Sequence, residues 1–308
     1  MPLLLNHDYE LLVGSTRSDT GLAFKDHDFE FVVLKDVDGT VTLKCRIANM
    51  DPQDYSKIES FGDQVSIILK AGYKSDVTSQ IFMGNATEVF TTTEDLDHYV
   101  NFNATASELG LTESYSSISL PSDGTVKATR RAAIKALVAD LASSIKQNLD
   151  GIPLAIQDRN LQGLHMDDTF ESGFYFTGST EAGLDWLLNS INYRWFIDDG
   201  QFYALPKVFS LDNAALPGSL NISYKLSASS GLYEVEKRSS KASEGVKLIL
   251  RCALLNKVRL GGRVEVDDPA LSGVFKIDRI KTQGDYSGED WDTTLEVSAE
   301  EKEPAKLI

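Results

Sequence analysis

The sequence predicts a mainly β protein in which two β-barrels flank a central α+β region. Three observations lead there. Apolar and polar residues alternate over short segments before residue 110 and after residue 220. Between them the apolar spacing lengthens to the helical period. The strand motifs of the first β region also recur, in the same order, in the second.

Residues 1–110 make the first predicted barrel. Phe29–Leu34 and Thr40–Ile47 read as a hairpin around Asp38-Gly39, because glycine tolerates the positive φ of a primed turn. Val41, Leu43, Cys45 and Ile47 share one face, and Thr42, Lys44 and Arg46 the other, which marks a strand buried on one side. Further strands are expected at Gln64–Leu69, Ile81–Phe90 and Tyr99–Ala104. Short strands at this spacing suit a barrel or sandwich.

Residues 111–219 form the α+β region, with helices near 126–149 and 180–192 and a hairpin over 193–205. Ile134, Leu137, Val138, Leu141, Ile145 and Leu149 give the first helix an apolar stripe that must be buried. Thr125 is its expected cap, and Gly151 with Pro153 its stop. Ser179 or Thr180 caps the second helix, Glu181 suits its positive end, and Leu184, Leu187, Leu188 and Ile191 form its buried face. Tyr193–Ile197 and Gln201–Leu205 then pair around Asp198-Asp199-Gly200.

Residues 220–300 make the second barrel. Val246, Leu248, Leu250, Cys252 and Leu254 alternate with their neighbours, and strands follow at Arg263–Val266, Val274–Lys281 and Thr293–Ala299. Residues 301–308 read as a flexible charged tail. The two β regions align when Cys45 and Asn49 are set against Cys252 and Asn256. Phe61–Ile67 then faces Leu260–Val266, and Met83-Gly84 faces Ser272-Gly273. Val41, Leu43, Ile47, Val65 and Ile67 are expected in one core, and Leu248, Leu250, Leu254, Val264 and Val266 in the other.

Charge narrows the function. Acidic residues number 46 against 30 basic ones, a net charge of −16 over 308 residues. Such a surface repels phosphate backbones and anionic lipid, so sequence-specific nucleic-acid binding is not expected. Apolar runs such as Val65–Leu69 fall far short of the ~20 residues that span a bilayer, so no membrane insertion is expected. The N-terminus lacks the basic region and cleavage site of a signal peptide. Two distant cysteines imply neither a disulfide framework nor a thiolate metal site. A soluble protein of a reducing compartment is the expectation.

Signatures of catalysis are sparse. The chain has no Walker loop, no Gly-x-Ser-x-Gly elbow, no His-Glu-x-x-His, no Cys-x-x-Cys and no EF-hand loop. His165 with Asp167 and Asp168 is the best metal-like cluster, since imidazole and carboxylate suit Zn²⁺ or Mn²⁺. A polar loop before the strand Phe174–Phe176 explains it better, as a hydrated turn explains Asp26, His27 and Asp28. The acid pairs Asp198-Asp199, Asp267-Asp268 and Glu300-Glu301 could serve glycoside hydrolysis, yet each sits where a turn or tail accounts for it. The aromatic cluster Phe174, Tyr175, Phe176, Trp186, Tyr193, Trp195, Phe196, Phe202 and Tyr203 is expected in the core. No catalytic, cofactor or metal residue is therefore assigned, and no cofactor is expected.

The most specific stretch lies near the C-terminus: Arg251–Asn256, Leu260-Gly261-Gly262-Arg263-Val264, Gly273–Ile277 and Gly284–Trp291. It resembles the final domain of baseplate hub proteins of contractile-tailed bacteriophages, a family shared with contractile injection systems. Ala71-Gly72-Tyr73 and Phe82-Met83-Gly84 in the first half, and Gly183–Leu188 with the Trp195–Tyr203 hairpin in the middle, resemble the same family. The resemblance implies tail-tube-like barrels and a homotrimer whose six barrels meet a hexameric tail-tube protein. It further implies a trimeric central spike on the opposite face, contacts with tape-measure and baseplate wedge proteins, and a central DNA channel. The setting it implies is the virion tail baseplate, assembled in the bacterial host cytoplasm, with a part in genome ejection. The chain is short for the family and carries no lysozyme or peptidase segment, so no enzyme activity is expected. A carbohydrate-active enzyme or glycan-binding module with two β-domains is the alternative, as is the hub of a non-phage injection machine.

Overall fold

The computed structural model describes residues 6–15, 21–37, 41–62, 65–76, 78–106, 114–123, 126–149, 155–156, 161, 165–198, 200–207, 223–239, 246–269 and 271–299. It is mainly β with an α+β insertion, as the alternation predicts. The N-terminal region comprises β1 (His7–Ser15), β2 (Gly21–Phe24), β3 (Phe29–Asp36), β4 (Val41–Ala48), α1 (Pro52–Ser60), β5 (Val65–Tyr73), β6 (Ser79–Glu94) and β7 (Asp97–Thr105). Its strands pair in the order β2-β1-β5-β6-β7-β4-β3. Alternate residues point inward, so Leu11, Phe29, Leu43, Ile47, Ile67, Leu69, Phe82 and Phe102 meet in one apolar core. Helix α1 was not expected, although its signal was present: the Asp51 carboxylate accepts from the Gln53 N–H, and Pro52 opens the first turn.

The C-terminal region comprises β15 (Ser223–Ser227), β16 (Leu232–Ser239), β17 (Val246–Ala253), β18 (Arg263–Asp268), β19 (Leu271–Asp285) and β20 (Trp291–Ser298). It pairs as β15-β18-β19-β20-β17-β16. Strands β3 to β7 and β16 to β20 therefore follow one scheme, with β3 standing where β16 does. The place beside β5 is taken by antiparallel β1, and the place beside β18 by parallel β15.

Bulges fix the equivalence residue by residue. The β6–β7 ladder shifts between Ala86 and Glu88, and the β19–β20 ladder shifts between Ile277 and Arg279. Counting from these bulges, Arg46 corresponds to Arg251 and Glu30 to Glu234. Both pairs make the same ion pair, at 2.7 Å and 3.0 Å. The cysteine alignment is thereby corrected by two residues: Cys45 corresponds to Leu250, and Cys252 to Ile47. A slip of two leaves every residue on its own face, so the apolar pattern alone could not reveal it.

The cores are distinct but interlocked. Leu248, Leu250, Val264 and Val266 lie in the second core, as expected. Leu254 does not; it packs in the first core with Trp291, while Val37 from the end of β3 packs in the second.

The insertion contains β8 (Tyr115–Leu120), β9 (Ala128–Thr129), α2 (Arg130–Leu149), β10 (Ala155–Ile156), β11 (Thr169–Phe170), β12 (Phe174–Ser179), α3 (Thr180–Asn189), β13 (Tyr193–Asp198) and β14 (Gln201–Pro206). Helix α2 starts later than the expected cap at Thr125 would place it, because Ala128 and Thr129 pair with β11. The Thr129 hydroxyl then accepts from the Ala132 N–H in place of the expected cap. Thr125, Gly151 and Pro153, the side chains of Ile145 and Leu149, and the tail 301–308 lie outside the described residues. Ile134, Leu137, Val138 and Leu141 pack against Leu184, Leu187, Leu188 and Phe202 in a third core. Among the described residues no helix is long and apolar enough to cross a membrane.

Gly84 shows why a residue of the resemblance is small. A Cβ there would collide with the Thr105 carbonyl oxygen and the Phe82 ring. Gly84→Ala is expected to cost about 1–3 kcal/mol of stability through overpacking. A urea melt checks this, and an unchanged midpoint would show that β6 and β7 can separate at no cost.

Candidate functional site

The two barrels share one sheet. Residues 279–285 of β19 pair antiparallel with 30–36 of β3, in the register Arg279↔Asp36 through Asp285↔Glu30. Arg279 Nε donates to the Asp36 carboxylate at 2.8 Å across this join. The first half of β19 pairs on the same edge with β18. One long strand therefore serves two barrels.

Motif residues gather along the seam. Trp291 Nε1 donates to the Gly72 carbonyl at 2.9 Å, and Asn256 Nδ2 donates to the Ala71 carbonyl at 3.2 Å. The Leu254 N–H donates to the Tyr73 hydroxyl oxygen at 3.0 Å. The Trp291 ring stacks on His7 at 4.4 Å and meets Phe31 edge-on at 5.4 Å. Gly284 lets these rings approach, since a Cβ there would lie 2.6 Å from the indole. Ala-Gly-Tyr, the Asn after β17 and the Trp closing the Gly-Asp loop are distant in sequence, yet they form one contact between barrels.

A buried ion pair ties the same strand to the insertion. Lys35 Nζ lies 2.6 Å from Asp198 Oδ1, with both side chains almost wholly enclosed. Arg259 Nη1 approaches the other Asp198 oxygen at 3.7 Å. Burial pulls the Lys35 ammonium below its ordinary range, against the opposing attraction of Asp198. Sequence reading missed this pair. The signal was a lysine on the apolar face of β3, in step with Phe31 and Val33.

The solvent face of the shared sheet holds a groove of about 480 Å³ lined by Glu30, Lys44, Arg46, Phe90, Asn101 and Gln283, among others. The Arg46 guanidinium that lines it is engaged, bridging Glu30 and Glu94. Elsewhere on the join, Arg279 bridges Asp36 and Glu296.

The residues weighed for chemistry are held in structural pairs. Arg131 forks onto Asp167 at 2.7 and 3.0 Å and holds its carboxyl below the usual range. His165 Nδ1 lies 2.9 Å from Asp168, which Arg130 also approaches. These contacts pin the loop to the start of α2. Asp26 accepts from the Tyr286 hydroxyl, and the His27 backbone N–H donates to the Tyr9 hydroxyl oxygen. Lys225 lies 3.3 Å from Asp267. Asp199, Glu300 and Glu301 lie outside the described residues. Among the described residues, no group of three or more His, Cys, Asp or Glu could hold a metal ion. Most of the aromatic cluster is internal, but Tyr175 and Trp186 are corrections, exposed at 64% and 57%. Trp186 lies on the outer side of α3 with its ring 6.1 Å from that of Phe174.

No protein-family model matches the chain. No curated protein sequence matches it either. Solved structures do. A tail protein from Neisseria meningitidis MC58 is similar over 94% of this chain and 96% of its own, with a TM-score of 0.60 and 11% identity. The 43 kDa tail protein of prophage MuSo2 from Shewanella oneidensis is similar over 94% and 97%, with a TM-score of 0.57 and 6% identity. An E. coli component of the type VI secretion system, described as structurally similar to the T4 bacteriophage tail proteins gp27 and gp5, is similar over 90% and 74%. Its TM-score is 0.54 and its identity 7%. The chain thus has the fold of phage tail proteins and of this secretion component.

The buried pair yields a test. Lys35→Met is expected to cost about 3–5 kcal/mol, because it strands the Asp198 carboxylate in the interior. The double variant Lys35→Met, Asp198→Leu should recover most of that loss. Urea melts of the three chains decide it; equal midpoints for the single and double variants would show that the charge is solvated.

Proposed function

We propose that this chain is the structural hub of a tail baseplate, a homotrimer that joins a hexameric tail tube to a trimeric central spike and encloses the channel for DNA. One observation carries the reading: the strand-for-strand repeat of β3 to β7 in β16 to β20. A chain holding two equivalent barrels offers six similar surfaces when three copies close around an axis, which is the match a sixfold tube needs. The fold it shares with phage tail proteins supports the same reading. In this reading residues 1–110 and 220–300 are the ring-forming units and 111–219 the region between them. Tape-measure and wedge proteins are further partners, and the site of action is the tail tip of the virion.

The role is mechanical rather than enzymatic. The pairing of Arg46 and Arg279 with carboxylates fits a channel wall, since a guanidinium already bonded to carboxylates is a poor anchor for a passing phosphate. With −16 on each chain, three copies present a strongly acidic ring that keeps a duplex off the wall over about 8 Å at physiological salt. The likeness to a type VI component favours one second reading, the hub of an injection machine that moves protein.

Sedimentation should give a species of three times 33.9 kDa at high concentration or with the spike present. Added to purified tail tubes, it should cap one end in electron micrographs. A chain that stays monomeric and leaves tube ends bare overturns the proposal, as does hydrolysis of peptidoglycan by the purified chain.

A further inference from the structure

The long strand of each barrel has two halves, and in one barrel, among the described residues, the second half is paired along one edge only. β19 bonds β20 along one edge; along its other edge it bonds β18 with 271–276 and β3 with 279–285. β6 is its counterpart. It bonds β7 along one edge, and along the other it bonds β5 with residues 79–85. Among the described residues no strand pairs with the remaining stretch, 88–94. The strand that would complete the repeat there is the counterpart of β3, namely β16, which ends the sheet with no partner on its outer edge among the described residues.

That open stretch is not built to stay open. It reads Glu88-Val-Phe-Thr-Thr-Thr-Glu94, rich in β-branched and aromatic residues, with no proline or lysine to blunt it. Natural sheets guard exposed edges with those residues, with other charges or with bulges that turn the edge away. Here the bulge at Thr87 precedes the stretch, and between the glutamates at its two ends no charge or bulge interrupts it. Phe90 stands 37% exposed on it, and Tyr233 at the start of β16 stands 59% exposed. Within one chain β16 stands at one end of the pairing order, and β6 lies seven places along it, so a second copy is the partner that satisfies both edges.

We infer that residues 89–94 of β6 pair antiparallel with residues 234–239 of β16 from a second copy, in the register that β19 and β3 display within one chain. Transferred through the bulges, Gln283↔Val32 becomes Thr92↔Glu236, Thr282↔Val33 becomes Thr91↔Lys237, and Asp285↔Glu30 becomes Glu94↔Glu234. Each copy then gives one edge and takes one, a head-to-tail contact that generates a ring when its rotation closes. That closure falls at three copies rests on the hub reading; the strand pairing itself does not.

Cross-linking reads the register. Directly opposed strand residues have Cα atoms about 4.5–5.5 Å apart, inside the disulfide window. Cys45 and Cys252 are buried, and burial pushes both thiols up, so they do not compete. Chains carrying Thr92→Cys mixed with chains carrying Glu236→Cys should oxidise to linked dimers, whereas Thr92→Cys mixed with Glu234→Cys, two residues out of register, should link at least about tenfold more slowly. Within one chain, Gln283→Cys with Val32→Cys should close at monomer mass as the positive control. Hydrogen exchange of the unaltered protein gives a second readout: amides in 89–94 and 234–239 should gain protection on association.

Association to the expected trimer without faster in-register linking or added protection would overturn this junction and leave the hub standing. A chain that never associates overturns both. Linking with protection, but in a ring of another size, upholds the junction and overturns the trimeric hub.

Discussion

The structure depends on one strand edge being shared. A β-strand has two edges of hydrogen-bonding groups, and each must find a partner or water. β19 meets this by being 15 residues long, enough to bond β18 with one half and β3 with the other. Everything that unites the barrels follows from that length. Trp291 reaches Gly72, Leu254 enters the first core and Val37 enters the second, because the two sheets are continuous at this line. Lys35 is buried because it points to the inward face of β3, where the insertion brings Asp198 to 2.6 Å from its ammonium.

Much of the fold was legible in the sequence. The alternation at 41–47 and 247–252 named the inward faces, because a strand half in water must separate apolar from polar residues, although Ile249 on the outward face is buried as well. The hairpin at β13 and β14 was readable from its turn. What the pattern could not supply was register. A shift of two residues leaves every face unchanged, so pairing Cys45 with Cys252 looked sound, and only the bulges at Thr87 and Asp278 exclude it. Helix α2 was less exact at its start, since the strand pair β9–β11 takes Ala128 and Thr129, which the expected cap at Thr125 would have given to the helix.

The seam was legible only as scattered motifs. Gly72, Asn256, Gly284 and Trp291 stood out individually, but nothing in their spacing says that they touch. The Lys35–Asp198 pair needed a different kind of attention, to a charge that breaks an apolar rhythm. Such a charge must find its counter-ion elsewhere in the chain, here 163 residues away.

The join between β3 and β19 also has a consequence in time. Asp36 bonds Arg279 across a separation of 243 residues. During synthesis at roughly 5–20 residues per second, β3 therefore waits about 10–50 seconds before the strand that covers it leaves the ribosome. For that interval the nascent first barrel presents a bare edge, and the lysine later enclosed with Asp198 is a solvated charge upon it. The same side chain thus discourages premature strand pairing in the nascent chain and fastens the strand once the C-terminal half arrives.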